Sequence, residues 1–333
     1  MESEGFMDTD VAPTPVSPVP VVTGAASGSR WADRTFRLLC LAGALTVGIL
    51  LVLVLWQLLK GSHLSLQKFG WKFFTGKTWN PVTEEFDALP FIFGTVVSSL
   101  IALLIAVPLS VGTAIYLTDL APMRLRQPLT SLIEMLAAVP SVVWGLWGLF
   151  VLMPILRNHA YPPLQKWLSF LPFFQGPIYG IGSLTAGVIL AIMILPIVTS
   201  VSREVLRSVP NLQREAAYAL GATRWEVTRI AVLSYARRGL FGAAVLGLGR
   251  AIGETMAVTM VIGNTPFVGA SLFHPASTLA SGIANEFTEA TSDIYLSALF
   301  ELGLVLLGLT ILVNILAQIM VRTFTTAETR RVA

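Results

Sequence analysis

Charged side chains are scarce in this sequence. Asp, Glu, Lys and Arg make up 12% of its 333 residues, 54% are hydrophobic, and the mean hydropathy is +0.74. A water-soluble domain carries about a quarter charged residues, so a soluble globule is excluded. Cysteine is nearly missing: Cys40 stands alone, which excludes an intrachain disulfide and a CxxC metal site. The three histidines, His63, His159 and His274, fall in three separate loops, and neither an HExxH nor a Ser/His/Asp grouping occurs. The chain is therefore read as a non-enzyme with no metal site. Gly76-Lys77-Thr78 imitates the end of a phosphate-binding loop, but the residues between Gly70 and Gly76 are too many for that motif and no strand is expected before them. No nucleotide is expected there.

Long uncharged runs are what the chain has in quantity. About 20 apolar residues cross a bilayer core, and residues 38–59, 88–118, 135–156, 167–202 and 302–321 each form a charge-free run of at least that length. A sixth run, 239–263, is interrupted only by Arg250 and Glu254. An all-α integral membrane protein with six transmembrane helices is predicted. Of the 22 Lys and Arg, fifteen fall on the side of the N-terminus, six (Lys60, Lys68, Lys72, Lys77, Arg157 and Lys166) on the other, and Arg250 between them. Basic loops stay in the cytoplasm, so both termini are expected inside. The pI of 9.2 reflects that sidedness and gives no ground for nucleic-acid binding.

The expected organisation follows. Residues 1–35 form a cytoplasmic N-terminal tail, disordered over the Pro-, Ser- and Thr-rich stretch 1–29. It lacks the short early apolar core of a signal peptide. The first transmembrane helix covers 36–60, an extracytoplasmic loop 61–90, the permease core 91–323, and a cytoplasmic tail 324–333. Pro108, Pro140, Pro154 and Pro196 lie within apolar runs, where kinks are expected.

Residues 203–238 are the informative polar segment. Asn211 is expected to cap one short helix, Gly221 to stop it, and Thr223 with Glu226 to open a second through a capping box. Ala216, Ala217, Ala219, Leu220, Trp225, Val227 and Ile230 give this knob an apolar surface, which suits either docking or packing onto the protein's own helices.

The segment Glu215-Ala216-Ala217, three residues, Gly221, then nine residues to Ala231-Val232-Leu233 resembles the EAA loop of ABC-importer permeases, with Ala231 and Ser234 where Ile and Pro are usual. Residues 78–81, 136–148, 214–225 and 247–257 together resemble the PstC-type phosphate permeases, a likeness running over about residues 36–324. The resemblance implies a type I ABC importer permease (MetI-like) fold in a bacterial cytoplasmic membrane. It implies a PstA-like second permease, a PstB-like cytoplasmic ATPase dimer that uses ATP and Mg, and a PstS-like extracytoplasmic phosphate-binding protein. No cofactor is bound by this chain. Glu215, Ala216, Ala217, Gly221, Thr223 and Trp225 are then the ATPase-coupling residues.

An ion at the centre of a span costs about 2.5–3.5 kcal/mol on insertion scales, and an arginine cannot shed its proton. Glu254, four positions after Arg250, shares its helix face. The pair is either a structural salt bridge or an anion relay, in which the guanidinium fork takes phosphate oxygens and the carboxylate holds it between ions. The relay is the reading adopted. Ala243, Gly247 and Ala257 on the same face suit tight packing or an open passage. Glu134, placed at the start of the third span, and Thr255 join Arg250 and Glu254 as pathway candidates; Glu301 near an end of the sixth span is a weaker one. The alternatives are a sulfate or molybdate permease and an ion-coupled secondary transporter.

Overall fold

The computed structural model describes residues 30–332, with side chains from 31 to 321. The disordered stretch expected over 1–29 lies outside them, as do the side chains of the expected tail at 324–333. Among the described residues, six helical segments are long and apolar enough to cross a membrane: Trp31–Gly61, Leu89–Leu120, Ser141–Trp167, Ser183–Arg207, Arg224–Ile252 and Asp293–Val321. The number agrees with the sequence reading; several limits do not. The chain divides into two units, Met1–Val54 and Leu55–Ala333, and the packing described below lies within the second.

Helix α1 (Arg30–Gly61) begins before the expected residue 36. The loop that follows is structured: α2 (His63–Phe69), α3 (Lys72–Thr75) and an antiparallel ribbon of β1 (Trp79–Asn80) and β2 (Glu85–Phe86), with Trp79 opposite Phe86. Trp79 meets Phe86 and Phe91 edge-on at 4.8 and 4.7 Å, and Phe86 stacks on Tyr295 at 5.0 Å. Phe73 and Phe86 are fully buried, each contributing about 1.5–3 kcal/mol over exposure. The indole N–H of Trp79 donates to Glu286 at 3.0 Å, and the Tyr295 hydroxyl donates to the same carboxylate. The phosphate-loop look-alike is occupied by a carboxylate: Asp87 accepts the Thr78 N–H at 2.9 Å.

Helices α4 (Leu89–Ile115) and α9 (Ser183–Arg207) form the central pair. Small residues at helical spacing on α4, including Ser98, Ala102, Ala106 and Ser110, are buried and allow close approach. The Ser110 hydroxyl donates to the Leu195 carbonyl at 3.0 Å, beside Pro196. A π-helical turn, Tyr116–Leu120, continues the second span.

Helix α5 (Met123–Ala137) is a separate amphipathic element, and Pro140, which has no N–H to continue a helix, stands at the N-cap of the next. The third span therefore starts at Ser141, not 135, and comprises α6 (Ser141–Trp147), α7 (Met153–Ile155) and α8 (Tyr161–Trp167) joined by π-helical turns. The fourth starts at Ser183, not 167: the charge-free stretch between holds Pro172, Pro177 and several glycines and forms a loop with one 3-10 turn, Pro172–Phe174. Absence of charge there marks an apolar segment and not a continuous helix.

Beyond α9 come α10 (Asn211–Ala219), α11 (Arg224–Glu226), α12 (Leu233–Ile252), α13 (Met256–Ile262), α14 (Leu279–Glu286) and α15 (Asp293–Val332). α11 passes through a π-helical turn, Val227–Val232, directly into α12. The second helix of the knob is thus the start of the fifth span rather than a separate short helix. The last helix begins at Asp293 and runs to Val332, so Glu301 lies well inside it, 1% exposed, instead of near an end.

Candidate functional site

Two places carry the candidate residues. The first is α10. Pro210 holds its N-cap position and Asn211 is already helical, with no side-chain cap bond, which corrects the expected role of Asn211. The stop is as expected: Gly221 has φ +83°, its N–H donates to the Tyr218 carbonyl at 2.9 Å, and the Ala222 N–H donates to Ala217 at 3.2 Å. Those two bonds make a Schellman terminator, which a left-handed glycine permits. The capping box is present: the Thr223 N–H donates to Glu226 at 2.8 Å, and the Glu226 N–H to the Thr223 hydroxyl at 3.4 Å.

The surface question that sequence left open is answered by exposure. Leu220 is 89% exposed, and Leu212, Tyr218, Trp225 and Ile230 are all at least half exposed. Glu215 and Ala216 are exposed and Ala217 half-buried. Apart from the buried Val227, this apolar surface points away from the chain's own helices.

What holds the knob was not foreseen. Arg214 lies 2.6 Å from Asp119 in the turn that ends the second span, and its other nitrogen donates to the Leu206 carbonyl at 3.0 Å. The Thr228 hydroxyl stands 3.3 Å from the second Asp119 oxygen and 3.0 Å from the Arg224 carbonyl, two acceptors that share its one hydrogen. One carboxylate therefore ties α10 and the start of the fifth span to the end of the second. A lone acid just past an apolar run was the only available signal; its partners are 95 and 109 residues away.

The second place is the fifth span, which does not run through to Gly263 as one helix. It breaks between Ile252 and Met256, and Glu254 sits in the break. Arg250 lies 3.2 Å from Glu254; the arginine side chain is 51% exposed and the carboxylate 4%. The other Glu254 oxygen accepts the Ala257 N–H at 3.4 Å. Thr255 is half-buried, its hydroxyl 3.5 Å from the Gly253 carbonyl. Ala243, Gly247 and Ala257 are buried, and a β-carbon at Gly247 would sit 2.6 Å from Val198. Gly247 therefore serves packing against α9 and Ala257 packing against Gly145 of α6, while Arg250 is half exposed.

Glu134 lies on α5, outside the third span, and pairs with Arg203 at 3.4 Å. Among the described residues, no hydrogen bond or ion pair joins it to Arg250, Glu254 or Thr255. The structure thus brings Arg250, Glu254 and Thr255 together and sets Glu134 elsewhere.

Residues 106–326, two thirds of the chain, match the family described as binding-protein-dependent transport system inner membrane component. The phosphate transport system permease protein PstC of Mesorhizobium japonicum is 49% identical over 292 residues, covering 86% of this chain and 89% of that protein. The PstC protein of Haemophilus influenzae is 47% identical over 295 residues, 87% of this chain and 93% of its own. A solved bacterial alginate ABC transporter, in complex with an alginate pentasaccharide-bound periplasmic protein, has a chain that superposes with TM-score 0.59 at 15% identity. That likeness covers 89% of this chain and 98% of the other and concerns the fold alone. Six apolar helices in an ABC importer permease fold make this a multi-pass membrane protein, and its sequence relatives place it further: the chain belongs to the PstC family of binding-protein-dependent transport permeases.

Proposed function

We propose that this chain is the permease subunit of an ATP-driven phosphate importer and forms the passage together with a PstA-like second permease. The observation that carries the reading is Arg250: a guanidinium half exposed on a membrane-spanning helix, while Glu254 beside it is buried. A phosphate ion leaving water needs positive charge and hydrogen-bond donors along its way. The exposed guanidinium offers both, and Glu254 holds it between ions. Thr255 adds a hydroxyl next to the pair. Glu134, paired with Arg203, contributes at a different level of the same passage.

The apolar face of α10 is the seat for a PstB-like ATPase dimer, which binds ATP and Mg and does the hydrolysis. Glu215, Ala216, Ala217, Gly221, Thr223 and Trp225 form that contact. A PstS-like binding protein delivers phosphate from outside, both termini lie inside, and this chain binds no cofactor. The phosphate-permease names of the relatives favour phosphate over sulfate or molybdate. A self-sufficient ion-coupled carrier would have no use for the α10 surface.

The test is radiolabelled phosphate uptake by vesicles holding all the subunits. Accumulation is expected to require ATP and to resist a large excess of sulfate or molybdate. Uptake that follows an ion gradient without ATP, or that sulfate displaces, refutes the proposal.

A further inference from the structure

On the side that the arginine-rich loops assign to the cytoplasm, a cavity of about 490 Å³ opens between α5 and the end of α9. It is lined by Met123, Arg126, Gln127, Thr130, Arg203 and Arg207. Three guanidiniums share it, and their charges are unequally balanced. Arg203 donates to the Thr130 hydroxyl at 2.6 Å and stands 3.4 and 3.7 Å from Glu134 and Glu204. Among the described residues Arg126 donates to neutral carbonyls alone, those of Thr118 at 2.8 Å and Ala121 at 3.5 Å. Arg207 is exposed and, among the described residues, makes no hydrogen bond or ion pair.

Helix direction sharpens the point. Arg203 and Arg207 stand near the C-terminal end of α9, where cations complement the helix dipole. Arg126 stands in the first turn of α5, a helix with no acidic residue there. A cation at that end opposes the dipole, whereas an anion would be welcomed by it. An anion in the cavity would answer the dipole and the uncompensated guanidiniums of Arg126 and Arg207 together. The space is ample, since a water takes about 30 Å³ of liquid.

We propose that Arg126, Arg203 and Arg207 bind a phosphate group, either free inorganic phosphate on the cytoplasmic side or the headgroup phosphate of an anionic lipid. Guanidinium forks match phosphate oxygens, and basic pockets between helices on the cytoplasmic side are suited to lipid headgroups. The lining does not include Arg250 or Glu254 of the fifth span, so the pocket stands whether or not Arg250 meets the transported ion; it shares Arg203 alone with the Glu134 pair.

The test uses the complete transporter carrying Arg250→Ala, so that the fifth-span arginine contributes no binding, with and without Arg207→Gln. Native mass spectrometry measures retained phosphatidylglycerol against a zwitterionic lipid, and equilibrium binding measures radiolabelled inorganic phosphate on the lipid-stripped complex without its binding protein. Among the described residues the exposed Arg207 makes no hydrogen bond or ion pair, so its replacement is expected to leave the fold intact. Arg207→Gln should lower one of the two signals by about tenfold, equivalent to ~1.4 kcal/mol. Loss of phosphatidylglycerol identifies the lipid, and loss of inorganic phosphate identifies the free ion. Neither ligand binding before the change, or both signals surviving it, overturns the proposal.

Discussion

Replacing Gly221 tests whether α10 must stop where it does. At φ +83° no heavy atom lies within 4 Å of the place a β-carbon would take, so the cost of a side chain is backbone strain alone. For an L-residue in the left-handed region that strain is about 1–2 kcal/mol, and a β-branched residue approaches the upper end of the ~1–3 kcal/mol range for strained positions. One to two kcal/mol changes a local equilibrium by roughly 5–30-fold, enough to open the terminator in much of the population. The bonds at 2.9 and 3.2 Å are then lost and the exposed Leu220 beside them is no longer held in place. In vesicles assayed in parallel for ATP hydrolysis and phosphate uptake, Gly221→Val should reduce phosphate carried per ATP while the complex still assembles. Gly221→Asn, which tolerates the left-handed region, should retain most of the coupling. Normal uptake and normal ATPase stimulation in Gly221→Val would refute the docking assignment.

Three further outcomes are expected. Asp119→Ala leaves Arg214 and Thr228 without their shared acceptor, at about 1.5–3 kcal/mol, seen as a lower thermal midpoint; the double change with Arg214→Ala should recover part of it, and identical midpoints for single and double would contradict the bracket. Lys68 and Lys77 should react with an impermeant amine reagent from outside, whereas Arg224→Cys in a Cys40→Ser background should be closed to an impermeant thiol reagent from that side; outside labelling at position 224 would overturn the topology. Trp79→Ala removes the contacts to Phe86 and Phe91 and strips Glu286 of a donor, a loss of about 3–5 kcal/mol, so the loop at 61–90 should become protease-sensitive; unchanged resistance would show that its packing rests elsewhere.

Most local signals were legible in the sequence, the Asn211 cap excepted, and long-range ones were not. The Gly221 stop and the Thr223–Glu226 box each concern neighbours a few residues apart, and both are found as read. Hydropathy gave the correct number of spans because burial of a whole helix in lipid depends on composition. It misplaced the starts of the third and fourth because a bilayer-length apolar run carries no statement about backbone continuity. Pro140 and the Pro/Gly stretch before Ser183 decide that. The break at Glu254 was hidden for the same reason: an i,i+4 pair on paper assumes an unbroken helix, yet Arg250 and Glu254 meet with Glu254 already outside α12. Asp119 and the Arg203–Glu134 pair depend on packing between elements 69 to 109 residues apart, which one sequence does not display.

The central claim is that Arg250 touches phosphate and that Glu254 serves it rather than merely neutralising it. Radiolabelled phosphate uptake by vesicles bearing Arg250→Ala, Arg250→Lys and the double Arg250→Ala/Glu254→Ala measures this most directly. The relay predicts no uptake for the alanine variant with subunits still assembled, partial uptake for lysine, which keeps the charge but loses the planar fork, and none for the double. A structural salt bridge predicts that deleting both charges restores what deleting one destroys. Transport by the double variant at the wild-type rate would contradict the relay.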